Sequence, residues 1–469
     1  MVDQRIGRRA DVVRALRRAS GISAEQRWPR ERIERQRGER LRMLVEHART
    51  HSPFHAERLR EIDIDAPNLL RRLPTMDKPT MMADLSRVLT DPRLRSLDLA
   101  RHVEGLTDDA LLFGRYRVMA TGGTSGARGL FVYDREGWTE VMAMLALAPR
   151  WLGVSPGLPR PRMATVWASG PAHMTARLAA SFRTPVFRRL ALGATMPVAQ
   201  MIPELNAFSP GWLSAYPSIA ALLAEEQRAG RLSIAPQVVL VSSEQCTPAM
   251  RSRISTAWGV QPYNTYATTE GGTTAVECDR HDGLHVFESH VILEVVDADG
   301  RPVPDGHQGA KVLVTNLYNR VQPLIRYEVS DLVTITSDVC GCGRTTRRIT
   351  SIDGRADDIM ELSTLAGDRA PVHPNHFAEA IETIAGVNAY QVTELQDGIE
   401  ITAVASSGGG DEIADAIKAA IRQRLEPLEV AHTPLRVRLV EEIPRPHVGA
   451  GKFKLIRARP RQSASQAPF

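Results

Sequence analysis

The sequence predicts an α/β fold in two parts, a large N-terminal domain over residues 1–354 and a small α+β domain over residues 355–469. Three observations carry this expectation. A chain of 469 residues is long for one hydrophobic core. Between residues 160 and 260, the short apolar runs "MATVWAS", "GWLSAYP" and "QVVLVSS" alternate with helical stretches such as "SIAALLAEEQRAG". Past Arg355 a second alternation begins, with "NHFAEAIETI", "AYQVTEL", "IEITAVAS", "DEIADAIKAAIRQRL" and "LRVRLVEEI".

Taken in order, residues 1–100 read as helices broken at "SPF" and "LPTMDKPT", with apolar residues at helical spacing in "RLRMLVEHARTHSPF". "YRVMA" and "LFVYD" read as strands on either side of a glycine-rich loop, and a helix follows from about Arg135 to Trp151. Residues 285–336 are strand-rich, in "HVILEVVD", "AKVLVTNL" and "LVTITS", and "DGRADDIM" reads as a charged turn. The tail after Arg459 reads as disordered.

Composition narrows the function. With 43% hydrophobic and 24% charged residues, the chain is that of a soluble globular protein. It has no apolar run of 18 or more residues, so no membrane partner is expected. The arginine-rich N-terminus lacks an apolar signal core, which points to the cytoplasm. The first fifty residues hold 14 arginines, but few aromatics interleave with them. A solvated helix face is therefore expected there, and no nucleic-acid partner.

Lysine is scarce. Of 59 basic residues only five are lysines: Lys78, Lys311, Lys418, Lys452 and Lys454. Where positive charge alone suffices this chain uses arginine, so a lysine marks a need for a compact ammonium. Two of the five share "GAGKFKLI" near the C-terminus.

The loop "ATGGTSGARG" (120–129) brings four glycines and three hydroxyl residues together. Glycine lets the backbone approach an anion, and hydroxyls with free N–H groups supply donors, which suits phosphate. The loop joins two strands and contains no lysine, unlike a Walker loop that opens a helix. In "YNTYATTEGG" the Thr269 hydroxyl can donate to phosphate, and the Glu270 carboxylate can hold Mg²⁺. In "RYEVSDL", Asp331 can accept both hydroxyls of a ribose or simply cap a turn.

Together and in order, these segments resemble the adenylate-forming enzyme superfamily, and within it the phenylacetate–CoA ligase-like branch. The resemblance covers nearly the whole chain. It rests on "RLRMLVEHARTHSPFHAERL…LPTMDK", "ATGGTSGARG", "SSEQCTPAMR", "YATTE" with "DGLHVFESHVILEVVD", "RYEVSDL", "DGRADDIM" and "GKFKLI". It implies a multi-subdomain adenylation domain followed by a mobile lid. Thr121, Gly122, Gly123, Thr124, Ser125 and Gly126 would cradle the ATP phosphates. Ser243 and Glu244 would lie by the adenine, and Tyr266 would stack on it. Thr269 would touch the α-phosphate, Glu270 would bind Mg²⁺ and Asp331 would hold the ribose. Arg355 and Asp357 would mark the hinge, and Lys452, with Lys454 as competitor, would reach in from the lid. A homodimer is common in this branch.

The implied reaction joins an acid, expected to be aromatic, to AMP with release of pyrophosphate, then passes the acyl group to coenzyme A. Other acceptors remain open: an amine, a carrier-protein thiol or a nitrite-type oxyanion. An inactive nucleotide-binding module is a further alternative. Four departures from the family pattern bear on activity: Ala127 for lysine, Ala267 for glycine, Gln245 for proline and Ser330 for glycine. Trp167 and His173, in "TVWASGPAHM", stand where the acid pocket should be, and core packing is the alternative for both.

The four cysteines are too few and too unevenly placed for a disulfide framework. Cys278-x-x-His281 with Cys340-x-Cys342 makes a Cys₃His set suited to structural zinc, with His285 as a substitute for His281 and unmetallated thiols as the alternative. Cys246 reads as a packed small residue.

Overall fold

The computed structural model describes residues 2–121, 128–151, 160–168, 170–181, 187–405, 410–445 and 452–459. At its centre is a nine-stranded sheet. In spatial order its strands are Asp331–Thr336, Arg348–Arg355, Leu284–Val286, Gly272–Glu277, Tyr263–Thr268, Val238–Ser242, Trp212–Ala215, Arg162–Trp167 and Arg188–Gly193. The strands from Tyr263–Thr268 to Arg188–Gly193 run parallel, and the rest extend the sheet antiparallel.

This mixture follows from the sequence. Val238–Ser242 and Trp212–Ala215 are buried at every position, as parallel strands covered on both faces must be. The helices Pro217–Arg228 and Pro248–Trp258 cover them. Each helix begins on a proline, whose fixed φ suits the first turn and whose missing N–H costs nothing there. The outer strand Arg188–Gly193 is more exposed and carries two arginines, so its apolar pattern does not stand out in the sequence.

A hairpin of Arg117–Ala120 and Leu130–Tyr133 brackets the glycine-rich loop. Val291–Val296, Lys311–Asn316 and Tyr327–Val329 form a separate three-stranded antiparallel sheet. The helix Arg30–His51 is tied to this region through Glu288, whose fully buried carboxylate accepts from Arg30, Arg37 and Arg347. The arginine-rich N-terminus therefore spends part of its charge internally.

Beyond Arg355, the strands Leu435–Leu439, Ile399–Ala405, Val387–Glu394 and Ile456–Arg457 form a separate four-stranded sheet. With the helices Pro374–Ile381 and Gly410–Leu425 it encloses its own core around Phe377, Ile401 and Ile417. "DGRADDIM" is more than a turn: Arg355 ends an eight-residue strand, and Ala356–Asp358 makes one turn of 3-10 helix. Lys452 and Lys454 lie in an irregular segment before Ile456–Arg457, and so do not share a strand.

Candidate active site and thiol cluster

Neighbouring parallel strands end at the same edge of the sheet, the usual place for a ligand crevice in open α/β sheets. Val238–Ser242 leads into Ser243 and Glu244, and Tyr263–Thr268 into Thr269 and Glu270. Ser243 adopts φ 73°, a left-handed turn that swings the chain out of the sheet.

The Thr269–Glu270 turn is held by its backbone. The Tyr133 hydroxyl donates to the carbonyls of Thr269 (2.8 Å) and Glu270 (3.0 Å), and Asn316 Nδ2 donates to the Glu270 carbonyl (3.1 Å). Gly272 has φ 68°, and a Cβ there would strike the Tyr318 hydroxyl at 2.1 Å, so glycine is required. The Glu270 side chain is left half-buried, and burial raises its pKa despite the opposing pull of Arg355 and Lys452. A carboxylate desolvated in this way suits a divalent cation, and Glu270 fits the predicted Mg²⁺ ligand.

Asp331 is buried at the start of its strand. It accepts from the Tyr266 hydroxyl at 2.7 Å and from Arg355 Nε at 3.0 Å. The Tyr266 ring is packed in the main core, and burial with Asp331 beside it holds the phenol well above its usual pKa. Asp331 beside it raises the Arg355 guanidinium further above its usual pKa. Ser330 Oγ donates to Asp357 at 2.8 Å, which ties the residue before Asp331 to the turn after Arg355.

Glu244 Oε1 accepts the Phe453 backbone N–H at 2.6 Å, and Oε2 accepts from Ser218 Oγ at 2.5 Å. Arg445 donates to Ser218 Oγ at 2.7 Å and lies 3.7 Å from Glu244. These bonds bring Lys452 to the crevice. Lys452 is exposed to solvent, with the carboxylates of Glu244, Asp331 and Glu270 acting on its ammonium. Burial first, and Arg355 second, lower its pKa, while Glu244, Asp331 and Glu270 oppose the shift. Lys454 instead pairs with Asp358 at 2.6 Å. The two lysines therefore face different partners.

Thr121 closes the base of the glycine-rich loop, since its N–H donates to the Gly129 carbonyl and its Oγ1 accepts from Gly129 N, both at 2.9 Å. Gly122, Gly123, Thr124, Ser125, Gly126 and Ala127 lie outside the described residues. Trp167 ends a parallel strand and sits edge-on to Tyr216, with ring centroids 4.8 Å apart. His173 is half-buried, and its N–H donates to the Gly170 carbonyl at 3.0 Å.

The thiol cluster needs one correction. The ligand atoms of Cys278, His285, Cys340 and Cys342 all lie within 4.8 Å of one another, and His281 is not among them. His281 occupies a turn at φ 52°, with Nδ1 3.4 Å from Glu277 and its ring 4.5 Å from that of Tyr263. His285 instead faces inward from a strand paired to Arg348. A tetrahedral zinc with ordinary bond lengths sets sulfurs about 3.8 Å apart and sulfur from nitrogen about 3.5 Å. Cys278 Sγ–Cys340 Sγ is 3.8 Å, and Cys342 Sγ–His285 Nε2 is 3.3 Å. The other imidazole nitrogen of His285 lies 3.4 Å from Thr346 Oγ1, an orienting partner of the kind metal-bound histidines use. Burial lowers the His285 pKa to about 4, so the ring is neutral as a ligand must be. Cys246 is a half-buried free thiol packed against the parallel-sheet core.

Sequence reasoning missed three groups. Lys78 was visible in the lysine count, but its motif lay far from the rest. Ser218 and Arg445 carry no sequence signal.

No protein-family model matches the chain. A phenylacetate–coenzyme A ligase of Thermus thermophilus is 30% identical over 353 residues, spanning 71% of this chain and 72% of that one. The chain belongs to the phenylacetate–CoA ligase family. It is thus an AMP-forming ligase. The Escherichia coli K12 phenylacetate–coenzyme A ligase is also 30% identical to this ligase, over 52% of this chain and 56% of its own. In fold, the ligase resembles a crystal structure of 2-hydroxyisobutyryl-CoA ligase in the postadenylation state with R3-HIB-AMP. The TM-score is 0.71 at 19% identity, over 93% of this chain and 91% of that one. No helix among the ligase's described residues is long and apolar enough to cross a membrane.

Proposed function

We propose that the ligase joins an aromatic carboxylic acid to AMP, releases pyrophosphate and transfers the acyl group to coenzyme A. The single observation that carries this is the convergence of Lys452, Glu270, Asp331 and Arg355 around the end of the strand Tyr263–Thr268, where each acts on the others' charge. Asp331, Glu270 and Lys452 each have the chemistry one part of the reaction requires, and Arg355 holds Asp331.

Asp331, buried and bonded by Arg355, accepts from the ribose hydroxyls, and Tyr266 fixes its orientation. Ser243 and Glu244 flank the adenine. Thr269 donates to the α-phosphate from a turn that Tyr133 and Asn316 prevent from shifting. Thr121 and the loop after it cradle the β- and γ-phosphates. Mg²⁺, held by Glu270, would offset phosphate charge as pyrophosphate leaves. A carboxylate attacking an α-phosphate brings two anions together, and the Lys452 ammonium lowers that cost at the oxygen where charge develops. The Glu244–Phe453 bond sets where the ammonium stands. For the second step, residues 355–469 turn about Arg355–Asp357 and carry Lys452 away so that the thiol can enter.

Zn²⁺ on Cys278, His285, Cys340 and Cys342 would be structural, since four protein ligands leave no open position. Trp167 and His173 line the acid side of the crevice. A homodimer and a cytoplasmic setting belong to the same reading. An acid-panel pyrophosphate-exchange assay tests it, with exchange expected for aromatic acids. Absence of exchange with every acid would refute the adenylation reading. Exchange without thioester formation would change only the acceptor.

A further inference from the structure

Three of the five lysines are occupied. Lys311 pairs with Glu328 at 2.8 Å, Lys418 with Asp415 at 3.1 Å and Lys454 with Asp358 at 2.6 Å. The proposed mechanism uses Lys452. That leaves Lys78, which among the described residues has no carboxylate within 4.0 Å. It is half-buried, in a chain that uses arginine for ordinary surface charge.

The position of Lys78 is fixed on two sides. Met76, two residues earlier, bridges to Tyr327: its N–H donates to the Arg326 carbonyl at 3.1 Å, and its carbonyl accepts from Glu328 N at 2.9 Å. That strand runs directly into Asp331. Asp77 caps the short helix Lys78–Ala83 by accepting from Thr80 N at 2.9 Å. The Lys78 stem then crosses the base of the glycine-rich loop. A Cβ on Gly129 would meet Phe131 Cε2 at 2.8 Å and lie 3.2 Å from both Lys78 Cε and Thr121 Oγ1, so the Lys78 stem packs directly against this position. The charges that act on its ammonium are Glu270, Arg355 and Asp357, which belong to the site, and burial holds its pKa below the usual lysine value.

We infer that Lys78 is the N-terminal domain's own phosphate-binding ammonium, contacting the β- and γ-phosphates of ATP and then the departing pyrophosphate. This rests on the adenylation reading and adds a second cation to it. Lys452 arrives with the lid, whereas Lys78 is anchored to the same body as Thr121, Glu270 and Asp331. The loop's own lack of lysine is thereby made good from a helix more than forty residues upstream. A hydrated point charge with rotatable donors suits a group that must bind a polyphosphate and then let it go. Lys78 is exchangeable for neither Arg355, which is held by Asp331, nor Lys452, which moves.

The test is titration calorimetry of Mg·ATP and of AMP into wild type, Lys78→Met and Lys78→Arg. AMP has no β- or γ-phosphate, so Lys78→Met should lose on the order of 10- to 100-fold in ATP affinity and almost none in AMP affinity. Lys78→Arg should retain more ATP affinity than Lys78→Met. Equal losses for both nucleotides, or no loss for ATP, would overturn the inference. Should Lys78→Met not fold, amine-reactive labelling of wild type read by mass spectrometry decides the matter. Pyrophosphate with Mg²⁺ should protect Lys78, and AMP should not. The reverse pattern overturns the inference. Wild type that binds neither nucleotide removes the adenylation reading itself, and this inference with it, before any variant is compared.

Discussion

The Glu244 carboxylate accepts the backbone N–H of Phe453 at 2.6 Å, so a residue beside the expected adenine position sets where the neighbouring Lys452 stands. Two residues that depart from the family pattern reinforce this docking. Gln245 donates to Asn375 at 3.3 Å and Ser330 to Asp357 at 2.8 Å. A hydrogen bond to a carboxylate contributes about 1.5–3 kcal/mol. Glu244→Ala should therefore slow pyrophosphate exchange by at least tenfold while leaving consumption of a preformed acyl-adenylate less affected. Ser330→Gly should release the lid and raise the second rate relative to the first. Stopped-flow measurement of each half-reaction checks both.

Lys452 and Lys454 should separate cleanly. Lys452→Ala removes an ammonium aimed at developing charge and should cost roughly 10²–10³-fold in pyrophosphate exchange, by analogy with deleting one oxyanion donor. Lys454→Ala breaks only an ion pair to Asp358 and should cost far less. Because burial lowers the Lys452 pKa, adenylation should decline with rising pH earlier than an ordinary lysine would dictate. A pH–rate profile of pyrophosphate exchange reads that limb. A profile still flat at the usual lysine pKa would contradict it.

Glu270→Gln should abolish most adenylation yet leave the fold intact. The sign of its stability effect follows from burial, which raises the carboxyl pKa. The folded apo protein therefore favours the protonated form and loses stability as pH rises from the unfolded value through the folded one. At neutral pH, apo Glu270→Gln should melt at or slightly above the wild-type temperature. Mg·ATP should then stabilise wild type far more than the variant. Differential scanning fluorimetry with and without Mg·ATP measures both.

Purified protein should contain about one zinc per chain by elemental analysis. His285→Ala should lose the metal and lower the melting temperature, whereas His281→Ala should keep both. Loss of zinc in His281→Ala alone would reverse the assignment made from the ligand distances.

Legibility varied along the chain for physical reasons. The parallel strands and most of the site came through because fully buried strands leave continuous apolar runs, and because glycine, hydroxyl and acidic residues cluster where phosphate and ribose are expected. Arg188–Gly193 did not come through, since an outer strand that opens on two arginines breaks the run. His281 appeared to be the better ligand because Cys-x-x-His reads as a motif. The turn after Cys278 directs it to Glu277, whereas His285 lies in a strand buried at every position and faces the three cysteines. Ser218 and Arg445 gained their roles only when two distant segments met at Glu244. No pattern in one stretch of chain encodes such a meeting.

The strand Arg348–Arg355 pairs with His285 at one end and reaches Asp331 at the other. Two register shifts, between Asp331 and Val333 and between Thr334 and Ile335, already set which face this ladder presents, so adding or deleting one more residue between its ends would disturb the Arg355–Asp331 contact. The stretch between cluster and hinge is therefore a ruler with fixed graduations. Natural variation in its length should be far rarer than in the Asp297–Gly300 turn, where no such measure is being taken.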